Sequence, residues 1–568
     1  MAKKLLCFAI AGMMFPLCAQ AAEADLQLKI DKLSKEVADL KGSVKKIDDK
    51  SLSKWLSIGG DYRFRIDSLR GETKAYMNPV GLFGYMGENA LLSTTNPAFG
   101  SMTVGQALTL ANANMQQVKT YQAAAAAAPT FLGQLNALYA DVAGQTSTFG
   151  PNAGPATQEN GRVFVPAQRP KNETLYTNKF GLDLHAKATK DVTVNVKLDM
   201  YKSFGSQSDN ATTGNYFADR VGVFDGTIGH VPSEGLLNVD RAYATWSNIA
   251  EQPVWLSIGR RPATNGAPTN LKLNNERPGN GGTPALLVDY AFDGMTLGYA
   301  PDIDLLPGAY TKVCYGRGFD SGFKTSTNSI KDTDMLGIAV IPVDTDPLRV
   351  WLQWNRGFNI FDFPVMSNTV FGNTAPATNL GSIDWYGGGF MSTLKKVGPG
   401  SLNIFVDGGL SITHPNDNVS AQAGFQGLGT GAFFQPEAPS DKTGWAVYAG
   451  IRYDFPSKTK IGFEYNRGSK NWITFAPAAD DMWTSKVGVR GNVYEPYIIQ
   501  ELNLKPISSY FAKAFFKIGY QYYDFEYTGS NNWVGAPVKI ASIQSTDMLL
   551  MAPVKSAHDI YATFEVKF

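Results

Sequence analysis

The 568-residue chain predicts an all-β fold: a sixteen-stranded antiparallel transmembrane β-barrel, with an N-terminal coiled-coil helix before it and a long, partly helical first outer loop. Three observations lead there. From Ile560 to Phe568, Ile560, Ala562, Phe564, Val566 and Phe568 share one parity, and Tyr561, Thr563, Glu565 and Lys567 share the other. Successive strand side chains point to opposite faces, so one face is apolar and the other mostly polar. Short and long connections alternate along the whole chain. Beyond the N-terminal segment no stretch is a continuous apolar helix of spanning length, whereas a barrel strand needs only about ten residues, half of which can be polar.

Taken in order, Lys3 and Lys4 precede an apolar run from Leu5 to Cys18 and then Ala19-Gln20-Ala21. This is the pattern of a secretory signal peptide over 1–21, too short to span a bilayer as a helix. Bulky Leu17 before Cys18 argues against lipid attachment there. Removing the signal leaves one cysteine, Cys314, so no internal disulfide holds this exported protein. No C-x-x-C-H occurs, and neither a covalent haem nor any other cofactor is expected. The chain carries 51 basic and 50 acidic residues, and loss of Lys3 and Lys4 brings it to −1. No nucleic-acid partner is expected of so balanced a charge.

Residues 22–50 hold Leu26, Ile30, Leu33, Val37, Leu40, Val44 and Ile47 at alternating spacings of four and three. That is the a/d seam of a periplasmic coiled coil, or the apolar stripe of a helix packed on its own domain. The a/d chemistry leans toward a parallel dimer. Lys50 to Lys54 reads as a linker.

The barrel domain occupies 55–568. Candidate strands fall at 56–68, 176–187, 192–201, 238–247, 254–261, 284–292, 295–315 (interrupted by Pro301 and Pro307, and open to being two strands, Met295 to Ala300 and Tyr310 to Tyr315), 334–343, 348–356, 382–393, 401–412, 444–455, 460–467, 486–502, 511–527 and 557–568. Tight connections lie near Thr189 to Asp191, Asn248 to Pro253, Asp293-Gly294, Asp344 to Pro347, Lys395 to Gly400, Pro456 to Lys458 and Asn503 to Ser509. Asp-Gly and Asp-Pro suit turns by their backbone preferences. Seven short turns and eight long loops are what sixteen up-and-down strands require when both ends lie on one side. Side-chain parity alone does not separate a membrane barrel from a soluble sandwich; this sorting of connections does, because a sandwich has no reason for it. Trp55, Trp246, Trp255, Tyr453 and Phe455 flank short turns, as an interfacial girdle would.

The loop insertion at 69–173 is too long to be a simple connection. Val104 to Ala128 reads as a helix ending before Pro129, and Phe131 to Val142 as a second. Such an insertion could cover the pore, fold into it, meet a neighbouring protomer or form a surface cap.

No enzyme constellation stands out. His185, His230, His414 and His558 show no ligand spacing, and no nucleophile elbow, phosphate loop or H-E-x-x-H occurs. Parity instead points charge into the barrel. Asp61, Arg63, Arg65, Lys197, Arg241, Arg349 and Asp407 are pore-lining candidates, with Asp183 and Asp199 on the same faces. Arg261 joins them, and Arg260 points outward, if Val254, Leu256 and Ile258 face lipid. Such side chains either set ion preference as charged rings or, hydrated and salt-bridged, merely keep the interior wet.

The overall plan resembles bacterial outer-membrane porins. Asp240-Arg241-Ala242-Tyr243-Ala244-Thr245-Trp246, Ser257-Ile258-Gly259-Arg260-Arg261-Pro262, Cys314-Tyr315-Gly316-Arg317-Gly318-Phe319 and Val493-Tyr494-Glu495-Pro496-Tyr497 resemble a poorly characterised porin-like family of anaerobic metal-reducing bacteria. The C-terminal strand resembles the one by which such barrels are recognised for assembly, which makes Phe564, Val566 and Phe568 the expected signal for the assembly machinery. The resemblance implies a protein of the Gram-negative outer membrane, in contact with its lipid, self-associating as a trimer. It would pass small hydrophilic solutes or ions by passive diffusion through a water-filled lumen. The alternatives are the barrel sheath of a porin–cytochrome electron conduit, or a structural or adhesive protein. The familiar porin constriction sets an acidic loop after the fifth strand against a basic wall. Here Ala263 to Thr283 occupies that place but carries Lys272, Glu276 and Arg277 with no acidic cluster. The enlarged first loop is a second departure.

Overall fold

The computed structural model describes residues 55–568 except 89–90, 146–162, 206–236, 262–265, 277–285, 290, 324–329, 370–371, 477–480 and 504–511; before residue 55 it describes only 32 and 35–37, all helical. The expected signal peptide and nearly all of the expected coiled coil lie outside the described residues.

Sixteen antiparallel strands close into one barrel, each beside its sequence neighbour. They are β1 Leu56–Thr73, β2 Lys171–Lys187, β3 Val192–Ser203, β4 Leu237–Trp246, β5 Val254–Arg260, β6 Asp293–Tyr299, β7 Tyr310–Phe319 and β8 Thr333–Asp344. The second half is β9 Arg349–Phe361, β10 Asn379–Val397, β11 Gly400–Pro415, β12 Lys442–Asp454, β13 Thr459–Gly468, β14 Gly491–Glu501, β15 Lys513–Phe525 and β16 Val554–Lys567. β1 closes on β16 in unbroken register from Asp61 opposite Lys567 to Glu72 opposite Ser556, and no open edge remains. Short and long connections alternate, so one rim carries the short turns and the other the long loops.

Burial is inverted relative to a soluble sheet. On β16 Ile560 is 58% exposed, and Phe568 just after it 50%, while Asp559 and Tyr561 are fully buried. The same holds round the barrel, with Phe180, Leu297, Leu352, Phe390, Phe463 and Ile518 exposed on the outer face. In water so continuous an apolar surface would be a liability; in hydrocarbon it is the stable arrangement, because closure pairs every strand and leaves only side chains to meet lipid.

The sixth and seventh strands differ from the expectation. Residues 284–292 form no strand where they are described. Leu286, Leu287 and Val288 are buried inside the barrel. The interrupted stretch 295–315 is instead two strands, β6 and β7, joined by Ala300–Ala309, and the turn is there rather than at Asp293-Gly294. The loss of 284–292 and the division of 295–315 at its prolines, the alternative that stretch left open, keep the count at sixteen. The cause of the loss is physical: a short apolar run fits a buried segment of any kind, and only alternation marks a lipid-facing strand. Proline has no N–H for a ladder, which suits Pro301 and Pro307 to the turn.

Among the described residues between β1 and β2 lie three α-helices, α1 Pro79–Glu88, α2 Val104–Gln117 and α3 Tyr121–Gln145. Thr103 caps α2 in a reciprocal box with Gln106. The expected single helix to Ala128 is broken at 118–120, where Tyr121 N–H donates to Asp417 O (2.6 Å) and Val419 N–H to Lys119 O (3.0 Å) in the β11–β12 connection. α3 then continues through Pro129. The lost hydrogen bond is offset by burial of Ala124, Ala128, Leu135 and Leu138 in a cluster that includes Phe425 and Phe434 of that same connection.

Candidate functional site

The lumen is filled at mid-height by the protein's own connections. The described parts of the β5–β6 connection, 266–276 and 286–289, lie inside the barrel rather than at its rim. Leu287 sits over a directly paired Gly387 and Gly409 on β10 and β11. A Cβ at either would come within 2.6 Å or 2.5 Å of its methyl groups, so both positions must stay bare for the segment to dock. Val288 bridges in parallel to Phe475 of the β13–β14 connection, whose ring packs edge-on against Trp385 (4.8 Å) and Trp533 (5.1 Å). Indole N–H groups fasten the stack: Trp385 donates to Ile473 O (2.9 Å), Trp472 to Val487 O (2.7 Å) and Trp533 to Phe361 O (2.6 Å). Packing plus satisfied donors make this a core, not a wet channel wall.

The other half of the lumen is ionic. Glu464 on β13 and Glu495 on β14 stand directly opposite each other, both inward and buried. Like charges so placed repel unless a cation lies between them. Lys486, in the short turn Lys486–Gly488, supplies it, with its ammonium on Glu464 and 2.6 Å from Glu495. Lys272 arrives from the far wall on the β5–β6 segment and meets Glu495 at 2.8 Å and Asp481 at 3.2 Å. Tyr448 donates to Glu464 (2.6 Å) and Tyr561 to Glu495 (2.8 Å). The same segment is held at the short-turn rim, where Arg452 donates to Leu271 O and Lys460 to Asn274 Oδ1 (2.6 Å), and Lys567 donates to Leu273 O (2.7 Å). The segment therefore crosses from β5 and β6 to β12–β16. At its centre a loop base, Lys272, meets the wall acid Glu495, whereas at the rim basic wall side chains hold the segment by its carbonyl and amide oxygens.

The sequence-predicted residues occupy several distinct environments. Asp61, Arg63 and Lys197 line a cavity of about 530 Å³ open at the short-turn rim, together with Lys179, Asp183 and Lys567. There Asp61 lies 2.8 Å from Lys197 and 3.4 Å from Lys179. Arg65 lies deeper and fully buried, 2.6 Å from Asp67 and 2.9 Å from Asp559, with its guanidinium 4.5 Å from the Tyr561 ring centre. Arg349 and Asp407 are in the plugged half; Arg349 donates to Tyr310 Oη (2.7 Å), and Asp407 accepts from Trp351 Nε1 (3.1 Å). Arg241 stands opposite Lys197 across a bulge and pairs with its neighbour Asp240 (2.9 Å), while Arg261 donates to the inward Ser257 Oγ (3.1 Å). Of the assembly candidates, Phe564 packs on Phe516 (5.0 Å), Val566 shares that outer face, and Phe568 exchanges two backbone hydrogen bonds with Gly60. Glu464, Lys486 and Trp472 were not singled out by sequence. Their one readable signal was the inward parity of Glu464, because nothing local marks a connection as luminal.

Three of the four resembling segments frame the root of the luminal excursion. Arg260, Asp293, Arg317 and Asp334 align rung by rung across β5–β8 on the outer face, with Arg260 3.4 Å from Asp293 and Arg317 2.7 Å from Asp334. This ladder ties together the two strands between which the segment departs. The fourth segment supplies Glu495, where the segment lands.

Residues 169–568 match the model of a family described as a protein of unknown function, DUF3373. The chain belongs to that family. The match contains all four resembling segments. No curated protein matches the sequence. Among solved structures, Pseudomonas putida OprB is similar at 11% identity and a TM-score of 0.40, covering 93% of this chain and 97% of that one. The anion-selective porin of Comamonas acidovorans is 11% identical at 0.35, covering 70% and 93%, and Salmonella typhi OmpF, in complex with daunomycin, is 8% identical at 0.35, covering 90% and 97%. At such scores the barrel's own geometry carries the conclusions. Closed, antiparallel, apolar outside and charged within, this family member is a porin-type barrel of the outer membrane.

Proposed function

We propose that the protein is a passive outer-membrane channel for small hydrophilic solutes or ions, with the short-turn rim periplasmic and the long loops outside. The observation that carries this reading is the closed sixteen-stranded wall whose inward parity carries charged side chains on each of β1–β3 and β12–β16. A barrel serving only as an anchor has no need of buried charge, which is costly to keep out of water. The luminal segments make the path narrow, and solutes pass where they yield. The pore-lining roles of Asp61, Arg63 and Lys197 follow from the periplasmic cavity, whereas Arg349 and Asp407 serve to seat the plug. The same filling disfavours the cytochrome-sheath alternative, since the mid-lumen space is taken by Leu287, Phe475 and Trp472. Residues 22–50 are proposed to form the periplasmic coiled coil, and trimeric self-association follows from the porin resemblance. Stepwise conductance of the purified barrel in planar bilayers tests the reading; a folded barrel without steps would end it.

A further inference from the structure

We propose that Glu464 and Glu495 form a cation site in the lumen that Lys272 and Lys486 occupy as tethered substitutes for ammonium-type or inorganic monovalent cations. This rests on the channel reading above. Two carboxylates face each other on adjacent strands with their rims closed to water, an arrangement that the barrel wall cannot stabilise by itself. Both cations come from connections, not from the wall: Lys272 from the β5–β6 segment and Lys486 from the β13–β14 connection. The setting is that of an ammonium receptor. Tyr448 and Tyr561 hydrogen-bond the carboxylates through their hydroxyls and turn ring faces toward the cations, Lys486 Nζ lying 5.1 Å from the Tyr448 ring centre and Lys272 Nζ 5.8 Å from that of Tyr561. Asp481 completes the group, accepting from Gln521 Nε2 (2.6 Å) and from the Lys486 backbone N–H (2.9 Å). When the lysine-bearing connections withdraw, Asp481 leaves with Lys486, and the wall carboxylates Glu464 and Glu495 remain with no tethered cation between them. The opened path then favours cations, and the closed state is held by competition between tethered and mobile positive charge.

Two measurements on the full-length protein separate this inference from the channel reading. In planar bilayers under a KCl gradient, Lys272→Gln and Lys272→Gln with Lys486→Gln should raise unitary conductance stepwise. The reversal potential should move toward that of K⁺. Lys190→Gln, in a short turn far from the site, should match wild type. Step conductance in wild type with no change, or a shift toward Cl⁻, in folded lysine variants overturns the cation site and leaves the channel reading standing. Absence of steps in every folded protein overturns the channel reading itself. Independently of conduction, Lys486→Ala in detergent should regain thermal stability with methylammonium chloride but not with tetrabutylammonium chloride, which is too large for the vacated space. No recovery, or equal recovery with both salts, overturns the site. If Lys486→Ala does not fold, Lys272→Ala carries the same test, because its lysine is borne on the inserted segment and its loss leaves every strand intact.

Discussion

At the scale of single residues, the lumen depends on side chains that tolerate no change in volume or charge. Gly387 and Gly409 leave room for Leu287, and valine at Gly409 would fill that room. Overpacking of this kind costs about 1–3 kcal/mol. Gly409→Val should therefore lower the urea midpoint of the folded barrel or release the segment, seen as larger conductance steps; an unaltered midpoint with unaltered steps would place Leu287 elsewhere. Arg65 is fully buried between Asp67 and Asp559. Arg65→Met strands two carboxylates and should destabilise the barrel by about 3–5 kcal/mol in equilibrium unfolding. Asp362, just beyond β9, accepts from the Ser420 hydroxyl (2.6 Å) and from the backbone N–H groups of Ala377 (2.9 Å) and Thr378 (3.2 Å). Burial nevertheless pushes its carboxyl above the ordinary value. A raised folded-state value means that this group's contribution is fully present at pH below the ordinary carboxylate value and is lost as pH rises through the shifted one. Asp362→Asn should remove that part of the pH dependence, read as melting temperature against pH. Curves that stay parallel from acid to neutral pH would show that Asp362 does not titrate in the transition.

At the scale of elements, the strands were legible because a lipid-facing strand is a local statement: alternation over about ten residues bounded by turns. β2, β12, β13 and β16 lie within a few residues of where alternation puts them. The luminal segments were not legible, for a matching reason. Leu286 to Val288, and Trp472 to Phe475 but for Thr474, are apolar without strand alternation, and what they bury against is set by strands far away in sequence. Lys486 was read as the start of a strand; in the fold it opens a short turn that delivers its ammonium to two glutamates. Of the candidate site, the sequence showed which wall positions are charged and inward. It did not show which of these charges meet water and which meet a connection folded down among them. The helical insertion was half visible: α2 and α3 follow from composition, but the break at 118–120 follows from pairing with residues near Asp417. At the C-terminal element, the ring of Phe568 lies over Gly60 on the lipid-facing seam. Phe568→Ala should reduce the heat-modifiable, folded fraction recovered from membranes much more than it alters the conductance of what does assemble. Equal recovery with altered conductance would assign the ring to the pore and not to closure.

At the scale of the whole molecule, the protein is a closed lipid-facing wall around an interior that its own connections occupy. The β5–β6 segment crosses the barrel with a basic side chain toward an acidic wall. The β13–β14 and β15–β16 connections complete an apolar stack beside it, and α3 packs on the β11–β12 connection at the long-loop rim. Transport in such a molecule is governed less by the barrel's width than by how firmly the inserted segments are held. The most direct test is single-channel recording of the purified full-length barrel in planar bilayers, beside the variant Lys272→Gln. Discrete steps in wild type, and larger, more cation-selective steps in the variant, are the predicted result. A folded barrel that gives no steps in either form would contradict it.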